Sequence, residues 1–141
     1  MSYSLNAGLR EAIAQNLSVH DRMTVTDGSL RKAAVALVLG AAWQEAPTDI
    51  VVTLRASKLN RHGGQFALPG GRLDEGEGVI DAALRETHEE VGLYLDKSSV
   101  LGLLDDMVTR SGFVITPVVA WAGAGASFTP DPCEVAQLYR V

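Results

Sequence analysis

Hydrophobic residues recur along this chain at two spacings, one typical of a surface helix and one typical of buried strands. Near the N-terminus they appear every four residues, at Leu5, Leu9, Ile13 and Leu17. This spacing predicts a short amphipathic helix over 6–17. Continuous apolar runs bounded by turn residues predict strands at 31–40, 49–55, 100–104, 114–121 and 135–141.

A second helix is predicted over 79–91, directly after a segment, 57–78, that is rich in glycine and turn residues. Gly78 suits the N-cap, Asp81 favours the positive end of the helix, and Gly92 suits the left-handed position after its end. The order helix, strands, helix, strands predicts an α/β or α+β domain with a mixed sheet packed against helices.

Length and charge narrow the classes of function. A chain of 141 residues is predicted to form a single domain over 1–141, and its net charge of −5 argues against a nucleic-acid groove. Cys133 is the only cysteine, so no internal disulfide can form. The sequence shows no signal-peptide core, and its apolar stretches are too short to cross a bilayer. We therefore expect no membrane partner and a cytoplasmic location.

Carboxylates are concentrated on the second predicted helix. Glu86 is followed by Glu89 and Glu90, three and four residues later, so the three side chains share one side of the helix. Like charges at this spacing repel each other, whereas Mg²⁺ or Mn²⁺, which prefer oxygen ligands, would reverse the sign of the interaction. Taken alone, this pattern is more typical of a solvated acidic helix face than of a metal site.

The sequence around these glutamates distinguishes a metal site from a solvated helix face. Residues 71–93 read GRLDEGEGVIDAALRETHEEVGL. This segment resembles the Nudix box, G-x5-E-x7-R-E-U-x-E-E-x-G-U, in which U is a bulky apolar residue. Every charged and glycine position of the box is present, and the one departure is Thr87, where a larger aliphatic residue is usual. The resemblance implies a Nudix α/β/α sandwich, with a mixed sheet flanked by helices. It also implies hydrolysis of a diphosphate with Mg²⁺ or Mn²⁺ as cofactor.

The resemblance also implies roles for individual residues. Glu86 and Glu90 would bind the metal directly, Glu89 would be a ligand or a base, and Arg85 would hold the carboxylates in place. Glu77 would support the loop or bind a second ion. The implied metal set is Glu86, Glu90, Glu89, Glu77 and a carbonyl at Gly71. The implied catalytic set is Glu89, Glu86, Arg85 and Glu134.

Glu134 enters that set because 131–135, DPCEV, resembles a loop that supplies a distant carboxylate to the metals in this family. The alternative is an exposed loop acid, and Asp105 and Asp106 are further candidates. The chain stops at Val141 inside a predicted strand, whereas the Nudix fold usually continues into a helix. We therefore expect that helix to be absent, and the chain either to form a homodimer over the exposed sheet face or to be less stable than a longer chain.

The segment ahead of the box, TLRASKLNRHGGQFALPGGRLD at 53–74, concentrates basic residues in an acidic protein. It resembles the segment that marks the coenzyme A pyrophosphatase branch of the Nudix hydrolases, L-L-T-x-R-S-x-x-L-x-x-H-x-G-Q-V-x-F-P-G-G-x-x-D. The predicted substrate-binding residues are Arg55, Lys58, Arg61, His62 and Gln65. Without the resemblance, the same segment could be an ordinary solvated loop.

These observations predict an enzyme that hydrolyses coenzyme A, or a derivative of it, to adenosine 3′,5′-bisphosphate and 4′-phosphopantetheine. Its partner would be a small-molecule nucleoside diphosphate, and not a nucleic acid. Two alternatives stay open. One is a Nudix pyrophosphatase for another nucleoside diphosphate derivative, such as ADP-ribose, and the other is a non-catalytic Nudix domain that only binds a ligand.

Overall fold

The computed structural model describes residues 2–57 and 63–141, and their helices and strands follow the predicted order. The two α-helices are α1 (Ala7–Val19) and α2 (Val79–Val91), and a short 3-10 turn spans Lys97–Ser99. The strands are β1 (Arg31–Ala41), β2 (Asp49–Arg55), β3 (Phe66–Ala67), β4 (Gly70–Arg72), β5 (Val100–Leu103), β6 (Met107–Val108), β7 (Phe113–Ala124) and β8 (Val135–Arg140). Both predicted helices and all five predicted strands are confirmed, with ends that move by no more than three residues.

The strands form one mixed sheet centred on β1. β1 runs parallel to β7 along its whole length and antiparallel to β2 and β4. The main path through the sheet is β3-β2-β1-β7-β5, while β4 pairs with β1, β6 with β7 and β8 with β2. Because β1 and β7 are buried on both faces over much of their length, they appear in the sequence as long apolar runs.

The two helices lie on opposite faces of this sheet. Val38 and Val118 are fully buried in the core cluster that also contains Ala82, Ala83 and Val91 of α2. Leu103 is the register partner of Val118, whereas Gly102, the preceding residue, is the partner of Val119. A side chain at Gly102 would meet Leu17 of α1. Since successive strand residues face opposite sides, α1 and α2 cover different faces, and the predicted α/β/α sandwich is confirmed.

Helix α2 has the ends that its sequence predicts. Gly78 precedes it in an extended conformation, and Gly92 follows in the left-handed conformation with φ 69°. That conformation strains any residue with a Cβ, so glycine is the favoured residue here. Thr87, the departure from the box, is fully buried, and its hydroxyl donates to the Ala83 carbonyl at 2.7 Å. The smaller polar side chain therefore enters the core without an unsatisfied hydroxyl.

The short strands β3, β4 and β6 were not predicted. β3 and β4 lie within the turn-rich segment, where no run of alternating residues marks them. β4 exists because Gly70 and Gly71 approach β1 closely: a Cβ at Gly70 would be 2.3 Å from the Ala34 carbonyl oxygen. Its pairing with β1 places the start of the box against the centre of the sheet and beside α2.

Candidate metal centre

Three carboxylates from two parts of the chain meet at one place beside β4. Glu86 and Glu90 project from α2, and Glu134 lies in the turn before β8. One carboxylate oxygen from each can be chosen so that all three lie within 4.8 Å of one another. Glu86 and Glu90 are neighbours because residues four apart share a helix side, whereas Glu134 comes from more than forty residues away.

The turn that carries Glu134 is attached to the end of α2 by its backbone. The Thr129 N–H donates to the Val91 carbonyl at 2.7 Å, and the Asp131 N–H donates to the Glu90 carbonyl at 2.9 Å. These carbonyls belong to the last turn of the helix, where no partner within the helix is available. On the other side, the Ala56 N–H donates to the Glu134 carbonyl at 2.9 Å. The helix end and β2 together fix the position of Glu134.

Glu90 is the most deeply buried of the three carboxylates, with 2 % of its surface exposed. Its Oε2 accepts the Gly70 N–H at 2.8 Å, and its Oε1 lies 4.0 Å from Nη1 of Arg55. The pKa of Glu90 is raised to about 8, mainly by burial and also by repulsion from Glu86 and Glu134, while the Gly70 N–H and the Arg55 guanidinium oppose the rise. A buried carboxylate among other carboxylates is costly when ionised, and a bound cation removes that cost.

Glu86 lies where α2 meets β4. Burial is the largest cause that raises its pKa; Glu89 and Glu134 raise it further, while the Arg85 guanidinium opposes the rise. A Cβ at Gly71 would lie 2.7 Å from Oε1 of Glu86, so only glycine leaves this carboxylate its present place. The predicted role of a Gly71 carbonyl in metal binding is compatible with this proximity and stays a prediction.

Arg85 connects the carboxylates of the box to one another. Its Nε and Nη2 donate to the two oxygens of Glu77 at 2.8 and 2.9 Å, and its Nη1 donates to Glu86 at 3.0 Å and to Glu89 at 3.2 Å. The bond from Arg85 is the main cause that lowers the pKa of Glu77 to about 2. The Asp74 N–H also donates to Glu77, at 2.9 Å, and lowers the pKa further. Glu77 therefore ties the loop to the helix.

Two predicted metal residues lie outside the group of three carboxylates. Glu77 is occupied by Arg85 and by the loop backbone, which agrees with the predicted support of the loop. Glu89 is half exposed, and its side chain pairs with Arg85 at 3.2 Å. The second-ion role of Glu77 and the ligand or base role of Glu89 stay predictions.

The chemistry of the donor set fits a hard divalent cation. The three side chains offer oxygen ligands, which Mg²⁺ and Mn²⁺ prefer. Two of them have raised pKa values, and Gly71 leaves space beside Glu86 that any other residue would fill. Of the described residues, Glu86, Glu90 and Glu134 form the one group of this kind.

A cavity of about 590 Å³ opens beside these carboxylates. Arg55 and Gln65, both predicted to bind substrate, line it. Nε of Arg55 is buried and has no hydrogen-bond partner among residues 2–57 and 63–141. Lys58, Arg61 and His62 lie outside the described residues, and their predicted roles stay predictions.

The sequence did not identify the opposite wall of the cavity. It is formed by side chains of β1, β4 and β7 and of the turn before β7, among them Arg72, Thr109, Ser111 and Phe113. No motif marks these residues, since they meet only through the pairing of three strands. The other acidic candidates are engaged elsewhere: Asp105 pairs with His20 at 2.8 Å and Asp106 with Arg22 at 2.7 Å.

Comparison with known sequences agrees with the box. Residues 29–137 match the family model of the NUDIX domain. A protein of Pectobacterium atrosepticum named uncharacterized Nudix hydrolase NudL is 38 % identical over 112 residues, which cover 79 % of this chain and 57 % of that protein. The protein of the same name from Photorhabdus laumondii is 36 % identical over 107 residues, covering 75 % of this chain and 57 % of its own length. The match thus spans little more than half the length of these relatives.

Solved structures show the same fold. A Nudix hydrolase from M. smegmatis, RenU, is 28 % identical and superposes with a TM-score of 0.60, covering 79 % of this chain and 70 % of that one. A MutT/nudix family protein from Enterococcus faecalis has a TM-score of 0.66 at 16 % identity and covers 98 % of this chain and 56 % of its own. Along the described residues, no helix is long and apolar enough to cross a membrane.

The prediction of a hydrolase is supported by these relatives, since both the sequence matches and RenU carry that description. The branch within the family is not distinguished by them. Together, the match over 29–137, the identity to the NudL proteins and the three converging carboxylates show that this chain belongs to the Nudix family.

Proposed function

We propose that the chain hydrolyses the diphosphate linkage of coenzyme A or its derivatives, with Mg²⁺ or Mn²⁺ as the cofactor. The products would be adenosine 3′,5′-bisphosphate and 4′-phosphopantetheine. The observation that carries the hydrolase part of the proposal is the meeting of Glu86, Glu90 and Glu134 at the edge of a cavity large enough for part of a nucleotide.

In the proposed reaction, the oxygen of a water molecule bonds to one phosphorus and the bond from that phosphorus to the bridging oxygen breaks. The bridging oxygen leaves with the other phosphate, and the proton lost by the water passes to a base. Glu86, Glu90 and Glu134 would hold a divalent cation, which would supply charge neutralisation and make a nearby water more acidic. The protein's part is to hold these groups in position and to accept the proton.

The residues divide these tasks by their surroundings. Glu86, Glu90 and Glu134 would hold the cation, because their oxygens already lie close together. Glu89 is the candidate base, because it is half exposed and would exchange protons with solvent. Arg85 is a positioning residue, since it bonds to Glu86 and Glu89 and is itself fixed by Glu77. Arg55, whose buried Nε has no partner in the described parts of the chain, would donate to the diphosphate.

The coenzyme A substrate is supported by the resemblance of residues 53–74 to the segment of that branch. Arg55 and Gln65, two of its matching positions, line the cavity that the carboxylates share. The relatives match over little more than half of their length, so their activity is carried to this chain only as a proposal.

The test is a comparison of three substrates with Mg²⁺ and with Mn²⁺: coenzyme A, dephospho-coenzyme A and ADP-ribose. Products are identified by mass, and Glu86→Gln is the control for a contaminating hydrolase. We expect the highest kcat/KM for coenzyme A. Equal or better use of ADP-ribose would displace coenzyme A and leave the hydrolase proposal in place. Divalent cation binding without hydrolysis of any of the three would instead favour the ligand-binding module.

A further inference from the structure

The lysine and arginine side chains within residues 2–57 and 63–141 of this acidic protein fall into two groups. One group is neutralised by carboxylates within the fold: Arg22, Arg55, Arg85, Lys97 and Arg140. The other group makes no ion pair with any residue of 2–57 or 63–141: Arg10, Arg31, Lys32, Arg72 and Arg110. Four of these five belong to segments that meet at one corner of the sheet, where β1 and β7 begin and β4 ends.

Two of these arginines approach the same aromatic ring. Arg31 is the register partner of Phe113, and its Cζ lies 4.3 Å from the centre of the ring. Arg72 is the partner of Ala33, two residues after Arg31, and its Cζ lies 5.7 Å from the same centre. Cation–π attraction holds each guanidinium near the ring but leaves its charge uncompensated. We call Arg31, Arg72 and Phe113 the Phe113 corner.

The Phe113 corner adjoins the cavity that contains the carboxylates, although Arg31 is not among the residues that line it. Arg72 and Phe113 line the same cavity as Glu86 and Glu90, together with the hydroxyl residues Thr109 and Ser111. Gly71 faces Glu86, and the next residue of the strand, Arg72, therefore faces the other side. Successive Cα atoms are about 3.8 Å apart. Gly71, beside the carboxylates, and Arg72, in the corner, are therefore separated by a single peptide unit of β4.

The donors of the corner are largely unused. Nη2 of Arg31 donates to the Ser111 carbonyl at 3.1 Å, which fixes the direction of that side chain. The guanidinium of Arg72 donates to no acceptor within the described parts of the chain. Two uncompensated positive charges around one ring repel each other, and an anion bound to both would turn this repulsion into attraction.

We propose that the Phe113 corner binds a phosphate monoester of the substrate, distinct from the phosphate that is hydrolysed. This inference rests on the proposed function and names the part of the substrate that the corner receives. For coenzyme A it is the 3′-phosphate of the ribose, a dianion at neutral pH for which the planar fork of arginine is suited. The sequence resemblance assigned the substrate to Arg55, Lys58 and Arg61, so the corner is a second and separate basic site.

The test measures binding of the product half of the substrate, which has no anhydride left to hydrolyse. Adenosine 3′,5′-bisphosphate and adenosine 5′-monophosphate are titrated by calorimetry into the full chain with saturating Mg²⁺. We expect the parent to bind the bisphosphate more tightly. Arg72→Ala and Arg31→Ala should each weaken the bisphosphate by about 10-fold or more and leave the monophosphate nearly unchanged.

Two controls separate this effect from loss of charge and from loss of fold. Arg10→Ala removes the same charge from α1, where Arg10 donates to the Ser98 carbonyl at 2.9 Å, and should leave both affinities unchanged. Arg72→Lys keeps the charge without the fork and should give a smaller loss. Arg72 is exposed, so each variant should unfold at the parent temperature.

Three results would overturn the proposal. One is a parent that binds the bisphosphate no more tightly than the monophosphate. Another is an equal loss of both ligands in Arg72→Ala, which would mean that the arginine contributes only a general field. The last is a selective loss in Arg61→Ala with none in Arg72→Ala, which would place the monoester at the segment before the box. Binding is measured without turnover. The test therefore decides the role of the corner even if the chain does not hydrolyse coenzyme A.

Discussion

Replacing Glu90 by glutamine should stabilise the metal-free protein and abolish most of its activity. The amide has the same size, and its oxygen can keep the 2.8 Å bond from the Gly70 N–H. What disappears is a charge that burial and the neighbouring carboxylates disfavour. A bound cation requires the same charge. The substitution therefore separates the stability that the Glu90 charge removes from the activity that depends on it.

The size of the effect follows from the pKa of about 8 for Glu90, against 4.5 for an exposed glutamate. When the pKa of a carboxyl group is higher in the folded than in the unfolded protein, its contribution to stability is fully present below the unfolded-state pKa. That contribution is lost as the pH rises through the folded-state pKa. One pKa unit corresponds to about 1.4 kcal/mol. The parent without metal should therefore lose roughly 3–5 kcal/mol of stability through Glu90 between pH 4.5 and pH 8.

Urea unfolding of the parent and of Glu90→Gln, in chelator at several pH values from 5 to 8, measures this difference. The gap between the two proteins should widen as the pH rises, and saturating Mg²⁺ should close it by stabilising only the parent. Glu89→Gln is the matched control, since Glu89 is half exposed and should give no such gap. A parent whose stability is as independent of pH as that of the variant would refute the reasoning.

The remaining predictions concern catalysis and the groups that hold the site. Glu90→Gln should lower kcat/KM by about 10³-fold, the scale of losing a main electrostatic stabiliser, and near-normal turnover at saturating Mg²⁺ would count against its role. Gly71→Ala should weaken Mg²⁺ binding by roughly 10-fold in a calorimetric titration with little change in melting temperature, because its Cβ would meet only the end of the Glu86 side chain. Gly70→Ala should instead cost about 3 kcal/mol of unfolding free energy, because its Cβ would meet the backbone of Ala34 and Val35. Arg85→Gln should move the acid unfolding midpoint to higher pH. The low pKa of Glu77, about 2, contributes stability that is present above pH 4.5 and is lost as the pH falls toward 2. This contribution depends on the bond from the Arg85 guanidinium. An unchanged acid midpoint by circular dichroism would contradict that assignment.

The local parts of this protein could be predicted from its sequence. Helix α2 runs from Val79 to Val91 as predicted, because Gly78 and Gly92 mark its ends and because helical periodicity is a property of neighbouring residues. The proximity of Glu86 and Glu90 follows from the same periodicity. The family could also be assigned, because the box is a continuous segment in which spacing alone carries the chemistry.

The tertiary structure decided which of the acidic residues meet and what faces them. Glu134 joins Glu86 and Glu90 because the turn before β8 bonds to the last carbonyls of α2, while Glu77 is taken up by Arg85. Glu90 lies on the predicted metal side of α2 and is nevertheless buried, since β4 closes over it through Gly70. The Phe113 corner exists only because β1 pairs with β4 on one side and with β7 on the other. Such contacts join residues that are far apart in the chain, and no local spacing encodes them.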